Sequence, residues 1–150
     1  MYLAGSDIEP IASRWSAGHL DVRTVGERIG AASALKMAYA GWTKGTSAML
    51  RGVAALADAH GVGEVLRSEW EISQPHLTTR ISSTAAAVGA KAWRFDGEMA
   101  EIAATMESVD LPAGFHEAAA ELFRRLANLK HATDVDLDAV LKELLPPEHR

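Results

Sequence analysis

Cysteine is absent from the 150 residues, which excludes disulfides, zinc ribbons and thiol nucleophiles together. An excess of basic charge is also missing. Fifteen Lys and Arg stand against twenty Asp and Glu, a net charge of -5, and a nucleic-acid binder would carry a basic face instead. No run approaches the roughly 20 apolar residues that span a bilayer, so no membrane association is expected. The start, Met1 to Asp7, has no basic region and a very short apolar run, unlike a secretory signal. The six histidines, His19, His60, His76, His116, His131 and His149, include no pair at three- or four-residue spacing. Ala120 stands where an H-E-x-x-H beginning at His116 would place its second histidine, so no metal site is expected. The dinucleotide fingerprint G-x-G-x-x-G is lacking: Gly61-Val62-Gly63 follows a helical pattern, and Leu66 occupies the third glycine position. The phosphate-binding loop G-x-x-x-x-G-K-[ST] is lacking too. These absences leave an acidic globular domain suited to a reducing cytoplasm.

What is present is alanine, at 28 positions, and with it a repeated helical period. The strongest case runs from about Ala31 to His60. Leu35, Tyr39, Trp42, Met49, Val53 and Leu56 form one bulky apolar face. A second stripe is small: Ala34, Ala38, Gly41, Gly45, Ala48, Gly52, Ala55 and Ala59. The two stripes predict a helix buried on two sides. Each interior glycine costs on the order of 1 kcal/mol against alanine, so three of them imply close packing or a nearby ligand. Gly61 and Gly63 end this helix. Further helices are expected at Glu64–Ser73, from Pro75 to Val88, through Met99 to Val109, through Phe115 to Leu129, and at Leu137–Leu144 behind an Asp134 or Asp136 cap. The first thirty residues differ. Asp7–Ala17 suits a short helix, and His19–Gly26 alternates as one strand. A lone strand has no partner in an otherwise helical chain, so this unit reads as the torn edge of an α/β sheet.

Lys36 stands out among the polar residues. In so alanine- and glycine-rich a segment it could be partly buried, and burial disfavours the ammonium, which suits a general base. The plainer alternative has its stem cover apolar surface while its head reaches water, and composition favours that. Lys91 to Glu98 interleaves two cations with Trp93 and Phe95, either as a cradle for an anionic group or as a loop anchored by its aromatics. Gly114-Phe115-His116-Glu117 can equally be a simple helix start.

The run from Gly30 to Gly45 resembles the beginning of the helical domain in the β-hydroxyacid dehydrogenase superfamily, which includes 6-phosphogluconate dehydrogenases. A glycine at the end of the last Rossmann strand is followed there, six residues later, by a catalytic lysine; Gly30 and Lys36 keep that spacing. Ala34-Leu35-Lys36-Met37, Trp42-Thr43-Lys44-Gly45, Lys91 to Phe95, Gly97-Glu98-Met99 and Gly114-Phe115-His116 are similar to a family described as a C-terminal domain of NAD-binding phosphogluconate dehydrogenase-like proteins. The resemblance covers roughly Met1 to Leu126. Two positions depart from it: Ala40 replaces an asparagine one turn after the lysine, and Arg94 or Glu98 falls where many relatives carry a second lysine.

The resemblance implies an all-α, multi-helix bundle of the 6-phosphogluconate dehydrogenase C-terminal type over residues 30–150. Residues 1–29 would be the residual last helix and strand of a Rossmann sheet. It implies Lys36 as the catalytic base, with Ser33, Tyr39, Arg94, Glu98 and His116 near a small anionic hydroxyacid. The cofactor of a complete enzyme would be NAD or NADP, which this chain alone is not expected to bind tightly. A homodimer is expected through the helical part. A non-catalytic interaction module that keeps only the fold is the competing reading.

Overall fold

Two short strands open the chain and pair in parallel in the computed structural model, which describes residues 1–149. Strand β1 (Tyr2–Leu3) lies beside β2 (Arg23–Thr24), with Tyr2 opposite Arg23 and Leu3 opposite Thr24. Helix α1 (Glu9–Ser16) joins them, with Pro10 in its first turn and Ala12 buried. The expected lone strand is therefore corrected to half of a two-stranded sheet. Its partner spans two residues, too few to show an alternating period. Backbone bonds extend the pairing, with Arg23 donating to the Met1 carbonyl (2.9 Å), Val25 to Leu3 (2.8 Å) and Gly5 to Gly26 (3.0 Å).

The rest of the described chain is helical, an all-α bundle behind this small strand unit. Helix α2 runs unbroken through Ala31–Ala59, 29 residues. Gly61 ends it at φ +70°, a left-handed conformation that glycine adopts without strain. Then come α3 (Gly63–Ser73), α4 (Pro75–Ser83), α5 (Ala85–Lys91), a 3-10 turn at Ala92–Arg94 and α6 (Phe95–Glu107). Helix α7 (Gly114–Arg125), a 3-10 segment at Leu126–His131 and α8 (Leu137–Leu144) complete the bundle. Asp136 is the cap of α8, its carboxylate accepting from the Ala139 N–H at 2.8 Å.

The helix expected from Pro75 to Val88 is two helices. Thr84 separates them, because its hydroxyl bonds back to the Arg80 carbonyl at 2.6 Å and its backbone leaves helical geometry.

The chain divides into two compact units, Met1–Ala40 and Gly41–Arg150. In the second, Ile81, Met99, Ile102, Phe123, Leu126 and Val140 are buried. Phe95 meets Phe123 edge-to-face, ring centres 5.2 Å apart. Burying a ring such as Phe123 contributes roughly 1.5–3 kcal/mol.

Helix α2 corrects the two-sided burial expected for it. Its small face is the packed one within the second unit. A Cβ on Gly41 would lie 3.3 Å from both His116 Nε2 and Ile102 Cγ2, and one on Gly45 2.9 Å from Phe115 Cε1. The bulky face faces solvent instead: Trp42 is 71% exposed, Met49 51% and Leu56 57%. Small residues let α7 approach the α2 backbone, and the large residues take the opposite side of the cylinder.

Candidate functional site

The first unit contains a pocket of about 680 Å³ lined by Tyr2, Ala32, Ser33, Leu35, Lys36 and Tyr39. Five of these residues come from the first turns of α2. Their i, i+3 and i+4 spacing stacks Ala32, Ser33, Lys36 and Tyr39 along adjoining positions. The chain enters α2 through Gly30 at φ +88°, and the Ala34 N–H donates to the Gly30 carbonyl at 2.9 Å. The pocket thus opens beside the positive end of a long helix. Lys36 supplies its cation, and Ser33, Tyr39 and Tyr2 supply hydroxyls. Lys36 is exposed, which corrects the partial burial considered for it.

Tyr2 escaped sequence reasoning. It sits on a two-residue strand with no readable period. Arg23, opposite it in the sheet, is ion-paired to Asp21 (3.0 Å), and that carboxylate raises the guanidinium, with a smaller contribution from the Tyr2 phenol. The same pair lowers the Asp21 carboxyl, first through its hydrogen bond to Arg23.

The other expected site residues belong to the second unit. His116 is buried with Nε2 3.4 Å from the Gly41 carbonyl oxygen, its ring edge-to-face with Phe115 (centres 5.0 Å apart). Its Nδ1 has no partner among the described residues. Glu98, part-buried near the start of α6, is ion-paired to Lys44 of α2, whose Nζ stands 4.9 Å from the Phe95 ring centre. Arg94 lies exposed, 6.0 Å from the Trp93 ring, which Lys130 covers at 3.8 Å. The structure brings Ser33, Lys36 and Tyr39 into one pocket. His116 and Glu98 are engaged in helix packing, and Arg94 sits with Trp93.

Residues 57–126 match a family described as a domain of unknown function, DUF1932. The crystal structure of a conserved hypothetical protein from Sinorhizobium meliloti 1021 is similar at 26% identity and a TM-score of 0.75. The alignment covers 95% of this chain and 50% of that one, so the chain spans half the length of that structure. No curated protein matches. Among the described residues, no helix is long and apolar enough to cross a membrane.

Proposed function

We propose that the chain is the helical substrate-binding and dimerisation part of an NAD(P)-dependent oxidoreductase of the β-hydroxyacid/6-phosphogluconate dehydrogenase-like type. The observation that carries this reading is the pocket holding Lys36, Ser33 and Tyr39 at the start of α2. The DUF1932 match supports it. In a complete enzyme, the Lys36 amine would take the proton of the substrate hydroxyl, and a bound nicotinamide would supply the hydride acceptor. The substrate is a small anionic hydroxyacid, its carboxylate favoured by the positive end of α2. Its hydroxyl and carboxylate accept or donate to Ser33 and Tyr39. Nothing among the described residues provides the glycine-rich turn that seats a dinucleotide pyrophosphate, so a partner domain supplies the cofactor. We place the protein in the cytoplasm as a homodimer.

The test joins this chain to a dinucleotide-binding domain of the same superfamily and follows NAD(P) reduction over a panel of hydroxyacids. Turnover that vanishes in Lys36→Met, with the circular dichroism spectrum retained, supports the reading. Turnover unaffected by that change overturns it.

A second reading has its own observation. The bulky face of α2, with Trp42, Met49, Val53 and Leu56 exposed, suits an interaction module that keeps the fold without the chemistry. An inactive fused protein that still associates would favour it.

A further inference from the structure

We infer that a second pocket, formed in the second unit by the last turns of α2, the end of α7 and the end of α8, binds a medium-chain carboxylate. Such a ligand has an unbranched apolar tail and one anionic head. The inference does not rest on the reading of Lys36.

The pocket has a volume of about 380 Å³, within the range of roughly 300–1,000 Å³ usual for small-molecule sites. Gly52, Ala55 and Leu56 of α2, Leu122 of α7 and Leu144 of α8 form its apolar part. A Cβ on Gly52 would lie 3.2 Å from Leu122 Cδ1, so α2 and α7 close against each other there. Ala55 and Leu144 are buried, which makes the floor apolar.

The ionisable residues lining this pocket are Arg125 at the end of α7, His60 just after α2, and His149 in the 3-10 turn Pro147–His149. No carboxylate of the described residues lines it, in a chain with twenty Asp and Glu and a net charge of -5. Arg125 is held in place, its Nη1 donating to the Leu144 carbonyl at 2.9 Å and its Nε to the Glu121 carboxylate at 3.2 Å. Glu121 divides its charge between Arg125 and Arg124, which leaves guanidinium charge in excess. The Arg125 Nη2 makes no bond with the described residues, and the side chain is 42% exposed. Both N–H groups of that nitrogen are therefore open to an acceptor brought into the pocket.

An apolar floor beneath a cationic mouth selects a ligand of the same polarity. A bare inorganic anion would leave the floor uncovered, and a neutral hydrocarbon would leave Arg125 unused. One open guanidinium nitrogen, flanked by imidazoles that can donate, matches a singly charged head. A second copy of the chain is the other possible occupant, since Leu56 also belongs to the exposed face of α2. An isologous contact centred on this pocket would set its cations against their own copies, which favours the anion.

The experiment titrates the full chain with butanoate, hexanoate and octanoate by calorimetry and follows the methyl resonances of Leu122, Leu144 and Leu145. Saturable shifts of these methyls are expected, with affinity rising about tenfold for each pair of added methylenes. Octanol, which keeps the tail and lacks the charge, should bind about tenfold more weakly than octanoate, and Arg125→Gln should weaken octanoate by a similar factor. Because Arg125 also holds the Leu144 carbonyl, a second variant guards against loss of the fold. Ala59→Leu, at an exposed position on the pocket wall, should narrow the pocket and weaken octanoate by about tenfold with Tm unchanged. Unmoved methyl resonances, octanol binding as tightly as octanoate, or unchanged octanoate affinity in Ala59→Leu would each overturn the inference. An Ala59→Leu variant that alters the mass in light scattering but not the octanoate affinity would assign the pocket to a second copy, and would overturn it too.

Discussion

The imidazole of His116 rests on the backbone of Gly41, its Nε2 3.4 Å from the Gly41 carbonyl oxygen and 3.3 Å from where a Cβ on that glycine would stand. Gly45, one turn on, would meet both His116 and Phe115. Gly41 and Gly45 are thus the seat of the first turn of α7. This accounts for a helix that tolerates glycine at a cost near 1 kcal/mol per position.

Gly45→Val should destabilise the fold by about 1–3 kcal/mol, because the added methyls overpack against rings on α7. Gly97 offers the contrast: it lies in α6 with nothing within 4 Å of a built Cβ. Gly97→Ala should stabilise by about 0.5–1 kcal/mol through helix propensity and a less flexible unfolded chain. Urea denaturation of the two variants checks both signs.

The helices were largely legible in the sequence because their signals are local. The three-four spacing along α2, Gly61 after it, Pro75 at the head of α4 and Asp136 before α8 all act within a turn or two. Which face of α2 would be covered was not legible. Both stripes have a helical period, and only the approach of His116 and Phe115 selects the small one. The break at Thr84 escaped because it depends on a side chain turning back to its own helix while Arg51 holds it from α2. Part of the site was legible, since Ser33, Lys36 and Tyr39 lie within two turns of one helix. Tyr2 reaches that pocket through strand pairing across twenty residues, which no local pattern announces.

Burial, first, and the charge of Arg80, second, push the Arg51 guanidinium down to about 10. At neutral pH it is protonated in both folded and unfolded chains, and the folded state bears the cost. As pH rises past 10 the folded chain releases this proton before the unfolded chain, whose solvated arginine holds it to higher pH. The unfolded state then binds more protons, and stability contributed by this site rises with pH. The rise between pH 9 and 12 is at most about 3 kcal/mol. Arg51→Met should lack it. Denaturant midpoints of both proteins across that range, in phosphate-free buffer, measure the difference; parallel curves would contradict the assignment.

The exposed face of α2 bears on association. Trp42, Met49, Val53 and Leu56 follow one another along the helix and carry no charge. Exposed apolar side chains aligned on one helix face suit a contact surface, and an isologous helix pair would cover them. Light scattering should give twice the 16.0 kDa chain mass at micromolar concentration. Met49→Glu, at a half-exposed position, should halve that mass with helicity unchanged. A wild-type monomer would remove the dimer from the proposal.

Binding of NADH or NADPH to the chain alone should be too weak for calorimetry at micromolar concentration. The described helix starts lack the glycine-rich turn that lets a backbone approach the pyrophosphate. A micromolar dissociation constant would mean that a dinucleotide site exists outside the expected geometry.

Lys36 gives the decisive test of the chemistry. It lies in the second turn of α2, with Ala32 and Ser33 leaving room beside its amine and Tyr39 and Tyr2 on the pocket wall. A base here must be able to lose and regain a proton. Lys36→Arg preserves the charge and much of the length, but the guanidinium stays protonated at working pH and cannot accept the hydroxyl proton. Lys36→Met preserves the apolar stem and removes the amine. In a protein completed with its dinucleotide-binding domain, both variants should lose hydride transfer by about 100-fold or more, the usual range for a positioned acid or base. Anion binding should separate them: Lys36→Arg should hold a hydroxyacid inhibitor nearly as well as wild type, and Lys36→Met should not. Equal loss of binding in both variants would make Lys36 a structural anchor of the pocket. Near-normal turnover in Lys36→Arg would assign the proton transfer to another group, with the Tyr2 and Tyr39 hydroxyls the first to examine by Tyr→Phe substitution.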